Sequence, residues 1–336
     1  MLKSLTTSAL SLAALAAVLT LLQEAPALAG PGAVGAKTWV SHNGNDANNC
    51  LTPAQACLTF SGALSATAPG GEIGVVDAND YATASITFSV SITSDGAGVA
   101  TINLFGPFDS GPGLLISAGA GDVVSLRGLV IHAYAGGDTG IHITSASAVH
   151  IQNCVIRNFQ AAGRGYGIAF QPLGNTQLFV TDTLIYNNGT VAGTAGIYIG
   201  PTDTGSANVV LDRVHLENNV IGLWVDGFHG NPNGAHVIVR DSVISGNAGD
   251  GIQARSMPGA APVFVLVEHT SSVNNGGIGI HADGPHATIL LKDNTITRNG
   301  IGINAVNSGQ LISYGNNTNN NNLGPEGAPT GFFSQM

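Results

Sequence analysis

At 336 residues the chain is long enough for one or two domains with a sizeable core. Only 9% of its residues are charged, against roughly 25% in ordinary globular proteins, which excludes coiled coils and charged helical bundles, and a hydrophobic share of 44% excludes a disordered chain. Lys and Arg number 10 against 20 Asp and Glu, and the resulting formal charge of −10 argues against a binder of nucleic-acid phosphates.

Residues 1–29 read as a secretory leader. Lys3 supplies the positive start, Ala9 to Leu22 is an apolar run, and Ala27-Leu28-Ala29 is a small-residue cleavage site behind Pro26. That run is shorter than the ~20 residues a bilayer span requires, and no later segment reaches this length, so no membrane span is expected after cleavage. The product is expected to be extracellular, periplasmic or on the cell surface, where disulfides persist. Cys50 and Cys57 lie seven apart in a short loop and are expected to be bridged, whereas Cys154 sits in an apolar run as a buried small hydrophobe. No His or Cys pair around them completes a zinc pattern.

Phe60, Ala63, Leu64 and Thr67 then fall at helical spacing and stop at Pro69-Gly70-Gly71. A short helix there is expected to cap one open end of the structure that follows. Short alternating apolar pairs come next, from Ile73/Val75 to Leu114/Ile116, and read as irregular first coils.

From residue 122 the chain repeats. The segments LRGLVI, IQNCVI, VTDTLI, LDRVHL, VRDSVI, VEHTSS, LKDNTI and SYGNNT align on Gly128, Asn153, Asp182, Arg213, Asp241, His269, Asp293 and Gly315. The intervals lie between 22 and 31 residues, a solenoid period, and the period-2 alternation inside each unit makes it a β-solenoid. Six residues after the anchors stand Asn188, Asn219, Asn247, Asn275, Asn299 and Asn321. Stacked on successive coils ~4.8 Å apart, these amides are expected to bond one another as a ladder at a bend. The sequons at Asn188 and Asn316 fall in these turns and read as structural. Each unit closes with a G-I-x-I-like strand, the last three taken as Ile252/Ala254, Ile278/Ile280 and Ile301/Ile303. The expected organisation is a leader (1–29), an opening segment with the disulfide loop (30–57), a capped β-helix of roughly ten coils (58–322) and a loose tail (323–336).

The opening residues resemble a known motif: Trp39-Val40-Ser41, Gly44-Asn45-Asp46, the Cys50/Cys57 loop, Thr59-Phe60, Ala63-Leu64 and Gly70-Gly71-Glu72-Ile73. Together with the repeats they resemble exported right-handed parallel β-helix proteins of the pectate-lyase-like superfamily. The resemblance implies an all-β fold and leaves function open, because that superfamily includes polysaccharide lyases, hydrolases, epimerases and adhesins. Its catalytic motifs are absent here: Phe228-His229-Gly230 is only a partial echo of a Gly-His-Gly, no Arg-x-Lys occurs, and Lys37 and Lys292 are the only lysines after the leader.

If coils stack in register, equal offsets become surface columns. One column, Arg127, Gln152, Thr181, Asp212, Arg240, Glu268 and Lys292, alternates in sign over its last four members and suits cross-strand charge pairing. Beside it runs an outward apolar stripe of Phe179, Val210, Ile238, Leu266 and Leu290, to be covered by the tail or a loop, used in a homo-oligomer contact, or left exposed. A second face places Tyr198 and Trp224 on adjacent coils near Asp226, His229, Gln253, Arg255 and His281, next to the longer connections after Gly200 and Gly227. Flat aromatics among planar hydrogen-bonding groups suit sugar rings. The leading expectation is therefore recognition of an extracellular glycan or polysaccharide there. A polysaccharide lyase or glycoside hydrolase using Asp226, His281 and Arg255 is the second, and a structural or adhesive surface protein the third. No cofactor is expected. The one opening for a metal is calcium on Asp203, Asp226, Asp250 and Asp283, which form no compact motif.

Overall fold

The computed structural model describes residues 34–106, 111–161, 163–227 and 233–333. The chain winds as an all-parallel β-helix whose walls are sheets of twelve, ten and nine strands. Each strand pairs with the one a full coil later, as in Asn175–Thr181 with Ser206–Asp212 and Ala235–Arg240 with Val263–Glu268. This is the expected fold class.

Inward residues stack in columns. Ile141, Ile168, Ile197, Leu223, Ile252, Ile280 and Ile303 follow one another in register through the nine-stranded sheet and are buried. Ile131, Ile156, Ile185, Leu216 and Ile244 do the same on the ten-stranded sheet. Period-2 alternation thus sends alternate aliphatic side chains of the strands into a continuous interior. Cys154 belongs to that interior, and burial pushes its thiol up to about 11.

Between these two sheets the chain turns at a corner built from two side-chain types. The buried amides of Asn188, Asn219, Asn247, Asn275 and Asn299 hydrogen-bond along the stack. Asn188 Nδ2 donates to Asn219 Oδ1 at 2.9 Å, Asn247 Nδ2 to Asn275 Oδ1 at 2.8 Å, and Asn275 Nδ2 to Asn299 Oδ1 at 2.9 Å. The same oxygens accept backbone N–H groups of the preceding coil, as Asn247 Oδ1 does from Asn219 N at 2.9 Å. Beside the amides runs a column of glycines: Gly140, Gly167, Gly196, Gly222, Gly251, Gly279 and Gly302. A Cβ on Gly222 would lie 2.6 Å from the Gly251 carbonyl oxygen, 2.6 Å from Ile244 Cγ2 and 2.9 Å from Asn247 Nδ2. The corner is too tight for any side chain.

This column corrects two expectations. The last ladder amide is Asn322, which accepts from Asn299 N and Nδ2 at 2.9 and 3.1 Å; Asn321 instead takes a left-handed φ of +57° just before it. One residue is added in the final turn, so that Asn316 rather than Gly315 stands beside Asp293, and every later offset moves by one. The left-handed residue on earlier coils is likewise the one before the ladder amide, such as Asn187, Asn218 and Asn274. In the tandem Gly277-Ile278-Gly279-Ile280 it is Gly279 that fills the corner, so Ile280/Ala282, not Ile278/Ile280, matches Ile252/Ala254. The same shift makes Ile303/Ala305 the match in the next coil.

A second polar column was not anticipated. At the bend between the twelve- and ten-stranded sheets Thr183 Oγ1 accepts from Cys154 N, Ser242 Oγ from Val214 N, Thr270 Oγ1 from Ser242 N and Asn294 Oδ1 from Thr270 N. The column runs Cys154, Thr183, Val214, Ser242, Thr270 and Asn294, so no single residue type marks it in sequence.

Gly35–Val40, inside the opening segment, is already the first strand of the twelve-stranded sheet, and Gly331–Phe332, inside the tail, is its last. Cys50 and Cys57 are joined by a disulfide. The helix Phe60–Ala66 buries Phe60, Ala63 and Leu64 against the first coil. Thr59 Oγ1 caps it by accepting from Gly62 N at 3.0 Å, and the Asp46 carboxylate receives Leu58 N and Thr59 N. The leader lies outside the described residues. No helix among those described is long and apolar enough to cross a membrane.

Asn247→Ala would leave the buried Asn219 N–H without its partner, at a cost of about 1–3 kcal/mol, and would remove the amide bonds to Leu216 C=O and Asn275 Oδ1. We expect it and Gly222→Ala each to lower unfolding free energy by about 2–4 kcal/mol in urea titration. The exposed Asn208→Ala should change it by less than about 0.5 kcal/mol.

Candidate functional site: the outer face of the nine-stranded sheet

The strands of this sheet present alternate positions outward, and pairing fixes which side chains are neighbours. His142, Ala169, Tyr198, Trp224, Gln253, His281 and Asn304 form one column, and Asp226, Arg255 and Asp283 a shorter one beside it. Tyr198 and Trp224 are adjacent, as the repeat predicts. His281 is not where it was expected, since the glycine register moves it from the Arg255 column to the Gln253 column.

The aromatics pack on one another. The Tyr166 and Tyr198 rings stack with centroids 5.2 Å apart, and Tyr198 meets Trp224 edge-on at 4.9 Å. Tyr166 Oη donates to the Gly193 carbonyl at 2.8 Å. Tyr198 is only 7% exposed and offers no free ring face, which removes it from the set of groups able to touch a ligand directly. Its role is to hold Trp224. Burial raises the pKa of both tyrosines, and the Asp226 carboxylate adds to the rise, so both remain protonated phenols at any physiological pH.

This aromatic row divides the face into two clefts. One, of about 310 Å³, is lined by Trp224, Gln253, Arg255, Asp250, Val220 and Ile221. The other, of about 450 Å³, lies three coils back and is lined by His142, Tyr166, Arg164, Gln171, Asp138 and Thr139. Arg164 sits 3.7 Å from Asp138 and is largely exposed. Burial lowers the pKa of His142 below the ordinary 6.5. The bond to Gln171 opposes this, and the Arg164 charge reinforces it, so the imidazole is a neutral hydrogen-bonding group at pH 7.

Around the first cleft several buried polar atoms lack internal partners. Trp224 Nε1, Arg255 Nε and His281 Nε2 are buried with no hydrogen-bond partner, on three successive coils. Such groups are costly when unsatisfied and mark places where water or a ligand completes the bonding. Arg255 Nε lies 3.8 Å from Asp283, whose other oxygen accepts from Asn307 Nδ2 at 2.7 Å. His281 Nδ1 bonds Asp250 Oδ2 at 2.7 Å, and Asp250 Oδ1 accepts Ile278 N at 2.8 Å. The partner of His281 is therefore Asp250, not Asp226. The sequence contained Asp250 but gave no sign of this contact, because the two lie 31 residues apart and meet only across a coil.

Asp226 is buried, engaged, and in register with Arg255. His229 lies outside the described residues. Among the described residues no three His, Cys, Asp or Glu side chains gather to hold a metal ion, and Asp250 and Asp283 are taken up by His281, Arg255 and Asn307 as described.

Residues 108–323 match the sequence family described as the right handed beta helix region. No curated protein matches the chain. Among solved structures it is similar to pectate lyase Pel9A, with a TM-score of 0.63, 16% identity, and 90% of this chain and 79% of that one covered. It is also similar to an alginate lyase from Paenibacillus sp. str. FPU-7, with a TM-score of 0.54, 18% identity, and 82% and 95% covered. At these identities the likeness is one of fold.

A histidine held neutral in the folded state favours unfolding once the unfolded chain binds the proton, so stability is full above pH 6.5 and falls as pH drops below it. His132 and His150 share the depressed direction through burial. NMR titration should place the His142 midpoint below 6.5, and Arg164→Ala should raise it. A midpoint at or above 6.5 would contradict the burial described here.

Proposed function

Because this chain belongs to the right-handed β-helix family, we propose that it is an exported protein that binds a polysaccharide along the outer face of its nine-stranded sheet. The observation that carries the reading is the cleft at Trp224, where the indole Nε1 and Arg255 Nε are buried without a hydrogen-bond partner beside the Gln253 amide. Sugars offer an apolar ring face bordered by hydroxyls, which matches an aromatic edge bordered by planar donors and acceptors. The coil rise of ~4.8 Å is close to the length of one pyranose, so a glycan lying along the stack meets one coil per residue. Two clefts three coils apart then bind separate units of one chain, with Arg255 and Arg164 each able to pair with a carboxylate. The two solved neighbours, named as lyases of pectate and alginate, fit a polysaccharide ligand. Secretion through residues 1–29 is part of this reading and places the protein where such polymers are found.

One contact favours a second reading. The His281–Asp250 pair beside Arg255 has the form of an oriented acid–base group, which a lyase or hydrolase requires. Release of reducing ends or of unsaturated products from diverse polysaccharides, abolished by His281→Asn, would establish catalysis; no release would leave binding alone.

A glycan array on the purified protein identifies the ligand. Trp224→Ala should then weaken affinity at least tenfold, about 1.4 kcal/mol. Arg255→Ala should penalise carboxylate-bearing glycans more than neutral ones, and Asn208→Ala, on another face, should be silent. Unchanged affinity in Trp224→Ala would discard this face.

A further inference from the structure

The twelve-stranded sheet carries a different surface. Phe179, Val210, Ile238, Leu266, Leu290 and Ile312 stand in register on six successive strands, and none is buried. Ile238 is 38% exposed. An apolar recess of about 260 Å³ lies along it, bordered by His236 and Phe264. The described part of the tail does not cover this stripe. Its strand Gly331–Phe332 extends the sheet beside Ile312 and Ser313, and Pro325 and Glu326 accept bonds from Gly302 and Ile303 at the solenoid end.

We propose that this face is a homodimer interface. Two copies pack face to face about a twofold axis that crosses the solenoid between the strands Ala235–Arg240 and Val263–Glu268. The charged column bordering the stripe argues for a second copy and for this axis. Asp212, Arg240, Glu268 and Lys292 follow one another by one coil each, with signs −, +, −, +. The axis reverses coil order, so Asp212 faces Lys292 of the second copy and Arg240 faces Glu268. All four contacts are then between opposite charges.

Within one chain Arg240 already lies 3.2 Å from Asp212, and Lys292 3.6 Å from Glu268; the twofold closes these pairs into networks at the rim. The apolar stripe is self-complementary under the same operation, with Ile238 against Leu266 and Val210 against Leu290. The other border sets His236 against Phe264. An axis along the solenoid would instead put the charges against Asn208, His236, Phe264 and Thr288, with no complement. Six strands at ~4.8 Å spacing and about 20 Å of strand length give on the order of 600 Å² per copy before side-chain relief, close to the ~800 Å² of a standard specific interface. The closed twofold is the commonest homo-oligomeric symmetry.

Sedimentation of the full chain should show a dimer at tens of micromolar. Leu266→Glu should weaken dimerisation at least tenfold while leaving the circular dichroism spectrum unchanged. Geometry is tested separately by cysteines. Mixed under mild oxidation, Val210→Cys and Leu290→Cys proteins should form a disulfide-linked dimer that neither forms alone. A monomer at all concentrations, a dimer indifferent to Leu266→Glu, or cross-linking of Val210→Cys with itself would each overturn the proposal. Glycan affinity, which depends on the nine-stranded sheet, is not expected to change with Leu266→Glu, so the two readings fail independently.

Discussion

The structure depends on one corner. There each coil from Asn188 onward places an asparagine amide over the next and a glycine backbone against the next glycine carbonyl, with no room for a β-carbon. A polar amide in the interior is stable only while fully bonded, and these amides are bonded up and down the stack and to the backbone. A slip of one coil position breaks several such bonds at once, so the corner fixes register for all three sheets. Everything described on the surface follows from that fixed register.

The low charge content has the same origin. In a stacked solenoid every outward residue lies one strand spacing from the residue at the same position in the next coil. Like charges in a column repel across ~4.8 Å, and isolated charges do not. The chain meets this by keeping charges few and by alternating them, as in Asp212, Arg240, Glu268 and Lys292. The composition is therefore a property of the architecture and not a sign of any particular ligand.

The two outer faces use the register in opposite ways. On the nine-stranded sheet a row of aromatics and buried, unpartnered polar atoms leaves two clefts. On the twelve-stranded sheet the same regularity makes a flat apolar stripe with a charged border, a surface matched to its own reversed copy. A rigid scaffold presents both without either disturbing the other, since each face is one wall of a tube filled by aliphatic columns.

The sequence by itself determined the solenoid, the parallel stacking of strands, the capping helix and the neighbourhood of Tyr198 and Trp224, because these rest on spacing and alternation that any reader can count. Counting alone could not distinguish Gly277 from Gly279 or Asn321 from Asn322: both members of each pair carry the right residue type, and the choice is made by steric fit at the corner. Nor could it show that His281 turns to Asp250, that Tyr198 is covered by its neighbours, or that hydroxyls and amides share a second bend. Those outcomes depend on which side chains meet across coils some 25–31 residues apart. Local pattern sets the path of the chain; contact between coils decides what each position touches.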